Sequence, residues 1–390
     1  MAAFALDRGD LAARRETAQQ RARSGEGPDL AAELAAGRPL TDDDLATILL
    51  SNDIAAGDLL ALARGLRPQS APTIETFSPL YISNECDAEC VMCGMHRFNT
   101  KLHRATASEA TTDEQLDILH RRGLRGVALL TGEYRPGALR REMLRRTTLA
   151  ARGAIERAFT HVLINIGSLE SEEHAELVAG LPPACGGARL TMCTFQESYD
   201  PIVYERFMGA NQENPRSDFT RRLENFDRAA DAGVRSANPG LLLGLNHDLA
   251  YELLALTAHV RHLLGRGMTV YISLPRLRKA SGAPHHAGIS DDELTRLVSL
   301  LSAGFPEAKV VISTRETPEI QRILVPVIGV LTAGSPGVAP YTAGDARFEI
   351  EESQFEVADQ RPMEVILAEH LAAGATIDGY VPSSHASPPA

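Results

Sequence analysis

Residues 126–168 read GVALLTGEYRPGALRREMLRRTTLAARGAIERAFTHVLINIGS. Two short aliphatic runs, GVALL and HVLIN, flank a longer stretch in which charged and apolar residues alternate at helical spacing. That is the pattern of one strand–helix–strand unit. The arginine-rich part, 135–157, alternates with apolar residues and reads as the outer face of a helix. The same pattern recurs on both sides. SPLYIS precedes it, and ARLTMCTF, SANPGLLLGL, MTVYISLP, KVVISTR and VIGVLTAG follow. Most of these runs are near-continuous in Val, Ile and Leu, which suits parallel strands buried on both faces. Helix starts of capping-box form, Thr111 with Glu114 and Ser290 with Glu293, fall between them. Strand–helix alternation repeated eight times predicts an α/β fold, a (β/α)8 TIM-type barrel rather than a doubly wound sheet.

The barrel is expected over 71–345. A helical N-terminal extension over 1–70 is rich in Ala, Leu, Arg and Asp, with Thr41 and Asp44 forming an N-cap ahead of LATILL. A C-terminal helical segment over 346–390 would end in a disordered tail, SSHASPPA. The 390 residues are 44% hydrophobic with a formal net charge of −12. That excludes a disordered chain and argues against a nucleic-acid partner. No stretch of about 20 apolar residues is present to span a membrane. The N-terminus meets charge too early for a secretory signal. Five cysteines make no disulfide framework. A cytoplasmic enzyme is the expectation.

In such barrels chemistry sits where the strands end at their C-terminal edge. Those ends carry a cysteine cluster, then Thr131-Gly132-Glu133, Asn165 and Ser168, Gln196-Glu197, Asn246, Arg276, Arg315-Glu316 and Ser335. The cluster is Cys86-Asp-Ala-Glu-Cys90-Val-Met-Cys93. Three thiolates from one loop fit three corners of a [4Fe–4S] cubane, which ordinarily has four cysteine ligands, so one iron stays open to a small molecule. The competing reading is structural zinc, with His96 completing a Cys3His set in a non-catalytic scaffold. Cys185 and Cys193 read as core. His259 and His262, three apart on a helix, read as a solvated face, and His285-His286 has no assigned role. Arg315 suits a carboxylate through its rigid donor fork. Glu316, next to it on an extended strand, points to the other side and is a poor partner.

CxxxCxxC after the first barrel strand resembles the radical S-adenosylmethionine (SAM) superfamily, although Met92 stands where an aromatic residue is frequent. PLYISNECDAECVMC, LLTGEY, INIGS, TMCTFQESYDPIVYERFMG, NPGLLLGL, SLPRLR, STRE, AGSPGVAPY and SQFEVAD, in that order, resemble its aromatic amino acid lyases. The resemblance implies that Cys86, Cys90 and Cys93 ligate the cluster. Thr131, Gly132 and Glu133 would receive the SAM amino group, with Ser168 nearby. Gln196 and Glu197 would lie near the ribose, and Arg276 would face the SAM carboxylate. Arg315 and Ser335 would hold the substrate carboxylate, with Tyr81 lining the pocket. The implied reaction is reductive SAM cleavage, fed by a flavodoxin or ferredoxin, whose 5′-deoxyadenosyl radical fragments L-tryptophan to 3-methyl-2-indolic acid. The alternative is L-tyrosine, giving p-cresol and dehydroglycine. No cysteine follows Cys193, so the hydrogenase-maturation type with a second, C-terminal cluster is not expected.

Overall fold

A computed structural model describes residues 2–67, 71–284, 288–334 and 337–382. Ten strands form one sheet: β1 (Thr73–Glu75), β2 (Ser78–Tyr81), β3 (Gly126–Leu130), β4 (His161–Asn165), β5 (Arg189–Cys193), β6 (Ser236–Asn238), β7 (Thr269–Ser273), β8 (Lys309–Ser313), β9 (Val330–Thr332) and β10 (Thr376–Asp378). Every pairing is parallel, in the order β10-β1-β9-β8-β7-β6-β5-β4-β3-β2. Each of the eight sequence runs supplies one of the strands β2 to β9. The register aligns Leu80, Leu129, Ile164 and Met192 across four strands.

β1 and β2 are halves of one extended segment. The first half pairs with β9 and the second with β3, so the two ends of the sheet curl toward each other. Tyr81 bridges to Val338 beyond β9, and the Thr76 hydroxyl donates to Leu331 O at 2.8 Å. β10 adds beyond β1. The C-terminal segment therefore contributes more than the expected helix: Met363–Ala372 is helical, and the chain then returns to the sheet. The 383–390 tail lies outside the described residues. At the N-terminal ends of the strands, Glu75 accepts from Tyr271 Oη at 2.8 Å and Arg189 Nη1 at 3.0 Å, and pairs with Lys309. Hydrogen bonds from His161, Lys309 and Tyr271, together with the Lys309 charge, hold its carboxyl below the usual range despite burial.

Four helices, Arg8–Arg23, Gly27–Ala35, Asp42–Leu50 and Ala56–Gly65, occupy the N-terminal segment. Thr41 is the expected N-cap and forms a capping box with Asp44, and Ser290 and Glu293 form the capping box expected of them. The helix expected to start at Thr111 begins at Glu109 instead, because Ser108 caps it by accepting the Thr111 N–H. The N-terminal helices share one apolar core with the barrel. Arg296 fastens them by donating to the carbonyls of Ile48, Leu49 and Ser51 at 2.8–3.0 Å.

His262 is only half-buried, against Asp227 at 2.7 Å, whereas His259 is buried, not solvated. Its ring stacks on Phe4 with centroids 4.3 Å apart, and Nδ1 meets the Tyr199 hydroxyl at 2.8 Å. Burial pushes its pKa down to about 3, and that of His174 to about 4. Both are neutral in the fold, while unfolded histidine takes a proton below about pH 6.5. Their contribution is therefore complete above pH 6.5 and is lost as pH falls toward the depressed values. Each costs about 1.4 kcal/mol per pH unit. Urea midpoints are expected to drop steadily between pH 6.5 and 5, with a shallower slope in His259→Phe. An unchanged slope in that variant would contradict the assignment.

Candidate active site

β2 delivers the chain at Tyr81 into a long loop that carries the cysteines. Its backbone is fixed from inside. Arg104 donates to the carbonyls of Asn84, Met95 and His96 at 2.8–3.0 Å, and Asn84 Nδ2 donates to His103 O at 2.8 Å. From the neighbouring strand, the Glu133 N–H reaches Cys86 Sγ at 3.4 Å. Gly132 permits that approach, since a Cβ there would lie 2.0 Å from Glu85 O.

The three thiols line one cavity of about 650 Å3, counting its open mouth. Burial pushes Cys90 up to about 12 and Cys93 up to about 11, and raises Cys86. Such thiols ionise only against a bound cation. Zinc would need sulfurs under about 4 Å apart, given Zn–S bonds of about 2.3 Å. Among the described residues, one trio of His, Cys, Asp or Glu brings its ligand atoms within 4.8 Å of one another, and it is His103, Glu349 and Glu352. The cysteines are spread wider than a single ion allows. His96 makes its contact with Gly282 O at 3.3 Å. Three thiols spread around one cavity, two of them buried, fit a [4Fe–4S] cluster, not the zinc scaffold.

Thr131, Gly132, Glu133 and Glu197 line the same cavity. Glu133 accepts from Arg222 Nη1 at 2.8 Å and from the Ser168 N–H at 3.0 Å, and its pKa is lowered against burial by Arg222 and Arg216. Glu197 sits at φ +69°, a strained left-handed conformation, and accepts from Arg216 Nη2 at 2.8 Å. Two carboxylates and two arginines thus line one wall with their charges balanced. A zwitterion could meet an acceptor and a donor there without leaving net charge buried.

Three expected cofactor contacts lie elsewhere. Ser168 stands behind Glu133 rather than on the cavity wall, and Gln196 is buried off the cavity wall with Nε2 making no hydrogen bond. Arg276 is committed to Glu316 and to Asp291, the latter at 2.6 Å, so it does not face a ligand carboxylate in the cavity. Arg216 and Arg222 had no signal in strand-end reading, because they follow the helix Pro201–Met208 rather than a strand. The irregular stretch 209–218 was the available hint.

A second cavity of about 860 Å3 opens beside the first and is mostly apolar. Phe77, Tyr81, Val311 and Cys193 line it, so Cys193 is a wall residue as well as a buried one, its thiol 3.2 Å from Asn238 Oδ1. Arg315, Phe195, Asn165, Gln354 and Phe355 line both cavities. Among the described residues no carboxylate pairs with Arg315. Its Nη2 donates to Gln354 Oε1 at 3.3 Å, and its guanidinium lies 4.3 Å from the Phe355 ring centroid. Glu316 turns away to Arg276. Ser335 and His285-His286 lie outside the described residues.

No family model matches the chain. In sequence it is similar to the 2-iminoacetate synthase of Escherichia coli (strain K12), 27% identical over 343 residues that cover 86% of this chain and 85% of the relative. The 2-iminoacetate synthase of Salmonella typhimurium is 26% identical over 345 residues, covering 86% and 85%. In structure it is similar to the FeFe-hydrogenase maturase HydG from Carboxydothermus hydrogenoformans. The TM-score is 0.81 at 25% identity, over 95% of this chain and 83% of that one. Methylornithine synthase (PylB) shares the fold at TM-score 0.69 and 18% identity, over 89% of this chain and 97% of that one. Among the described residues no helix is long and apolar enough to cross a membrane. Likeness over most of the chain, joined to three cysteines lining one cavity at the C-terminal edge of a curled parallel sheet, makes this chain an enzyme of the radical SAM lyase kind, working with a [4Fe–4S] cluster and S-adenosylmethionine.

Proposed function

We propose that the enzyme fragments an aromatic L-amino acid whose carboxylate is held by Arg315. The observation that carries this is a guanidinium between the two cavities with no carboxylate of its own among the described residues. A half-buried arginine in that position gains most from a bidentate anion. When bound, the cluster and SAM supply one-electron cleavage and a hydrogen-abstracting carbon radical. Cys86, Cys90 and Cys93 hold the metal. Glu133, with the Thr131-Gly132 turn, accepts the SAM ammonium, and Glu197 faces the ribose. Arg222 and Arg216 hold the Glu133 carboxyl below its usual range against burial, and Arg216 donates to Glu197 at 2.8 Å. The apolar second cavity, walled by Phe77 and Val311, takes the aromatic side chain and excludes water.

L-Tyrosine is the first candidate, since the sequence relatives are named for making 2-iminoacetate (dehydroglycine), the product expected beside p-cresol. L-Tryptophan, rearranged to 3-methyl-2-indolic acid, is the second, favoured by the order of motifs from PLYISNECDAECVMC to SQFEVAD. The two differ in a phenol hydroxyl against an indole N–H, which a pocket can discriminate strongly. The test is anaerobic reconstitution with SAM and dithionite, offering each amino acid separately. Mass spectrometry then follows 5′-deoxyadenosine and the products. The chain contains no tryptophan, so any indole product comes from substrate. p-Cresol supports the first reading and 3-methyl-2-indolic acid the second. Deoxyadenosine that rises with neither amino acid would overturn the proposed substrate class.

A further inference from the structure

The C-terminal strap around residues 349–357 crosses the mouth of the barrel and grips the cysteine loop directly. The Gly94 N–H, next in sequence to Cys93, donates to Gln354 O at 3.0 Å. A Cβ on Gly94 would lie 2.6 Å from Ser353 O, so strap and loop meet backbone to backbone. Asn84 Nδ2 adds a bond to Glu352 O at 3.1 Å, and the His103 N–H one to Glu351 O at 2.7 Å. The strap thus places two side chains, Gln354 and Phe355, where the cavities join.

Gln354 Oε1 accepts from Arg315 Nη2 at 3.3 Å and from the Tyr81 hydroxyl at 3.4 Å. One amide oxygen therefore collects the two donors that flank the junction, in the manner of a carboxylate oxygen, while Phe355 covers the guanidinium face. The bonds are long, so the amide orients the donors without competing strongly for them. It carries no charge and yields to an anion. We propose that Gln354 is a positioning residue that presets Arg315 and Tyr81 for the substrate carboxylate and gives way to it on binding. This rests on the reading of Arg315 as the carboxylate anchor. Because the strap also grips the residue after Cys93, the same contact fixes the anchor's distance from the metal loop.

The test measures binding of L-tyrosine and of L-tryptophan by equilibrium dialysis to the cluster-loaded, SAM-bound protein, for wild type, Gln354→Leu and Gln354→Glu. Visible absorption confirms equal cluster loading. Leucine removes the acceptor, and Kd is expected to rise about tenfold. Glutamate keeps the shape but places a fixed negative charge on Arg315, and Kd is expected to rise about a hundredfold. A strap that merely packed would tolerate the isosteric glutamate better than the branched leucine, so the order of the two variants is the signature. Tyr81→Phe, outside the strap, is expected to raise Kd severalfold in wild type and to add nothing in Gln354→Leu. Wild-type affinity in both Gln354 variants, the reverse order, or full additivity with Tyr81→Phe would overturn the role of Gln354 while leaving the lyase reading intact. Failure of the wild type to bind either amino acid would overturn both.

Discussion

Cys90→Ser is expected to yield a folded chain that holds no [4Fe–4S] cluster and cleaves no SAM above background. Cys90 is buried, and burial pushes its thiol up to about 12, with the Arg216 charge opposing. Ionisation therefore depends on the metal, and a serine hydroxyl, harder still to ionise, makes a poor replacement for a soft thiolate. The substitution changes one atom, so the fold should survive with its helix signal and urea midpoint little altered. Iron and sulfide per chain after anaerobic reconstitution, with the brown colour, provide the measurement. Full iron loading in Cys90→Ser would refute the ligand assignment. Tight binding of one zinc per wild-type chain with no iron uptake would revive the scaffold reading.

Arg315→Lys is expected to lower kcat/KM by about a thousandfold. Truncating one member of a buried, hydrogen-bonded charge pair costs about 2–5 kcal/mol, and about 4 kcal/mol is a thousandfold. Lysine keeps the charge but loses the planar fork and its stacking on Phe355, 4.3 Å away. The hydrogen bonds of Arg315 run to Ser313 and Gln354 rather than to the cysteine loop, so cluster loading and slow substrate-free SAM cleavage should persist. That separates loss of the substrate anchor from loss of the radical-generating machinery. Equal loss of both activities would mean that Arg315 serves the cofactor instead.

The eight staves and the metal loop were legible because both are local. A buried parallel strand shows as a run of Val, Ile and Leu whatever surrounds it. Three cysteines within eight residues need only one loop to converge. Helix caps were nearly as readable, and the miss at Thr111 came from Ser108, a competing cap three residues earlier. The strand-end rule brought Thr131, Gly132, Glu133, Asn165, Glu197 and Arg315 to the cavities, and the family resemblance added Tyr81. It also offered Ser168, Gln196 and Arg276, which end strands yet do not line either cavity. A strand end says which edge a residue occupies, not which way its side chain turns.

Charge pairing was the tertiary structure's decision. Arg222 meets Glu133 across 89 positions and Arg276 meets Glu316 across 40. A buried charge takes whichever partner the packing brings within hydrogen-bond distance, and the energy of that pairing depends on separation and dielectric, neither of which sequence spacing encodes. The C-terminal segment read as a helix and a tail because its apolar pattern is weak. Only the folded chain shows that it returns to the sheet as β10 and lays Gln354 and Phe355 over the site. Period and spacing determined the parallel strands of the curled sheet and its metal loop, which are short-range patterns. Three-dimensional packing alone decided that Arg315 stands between the two cavities without a carboxylate partner among the described residues.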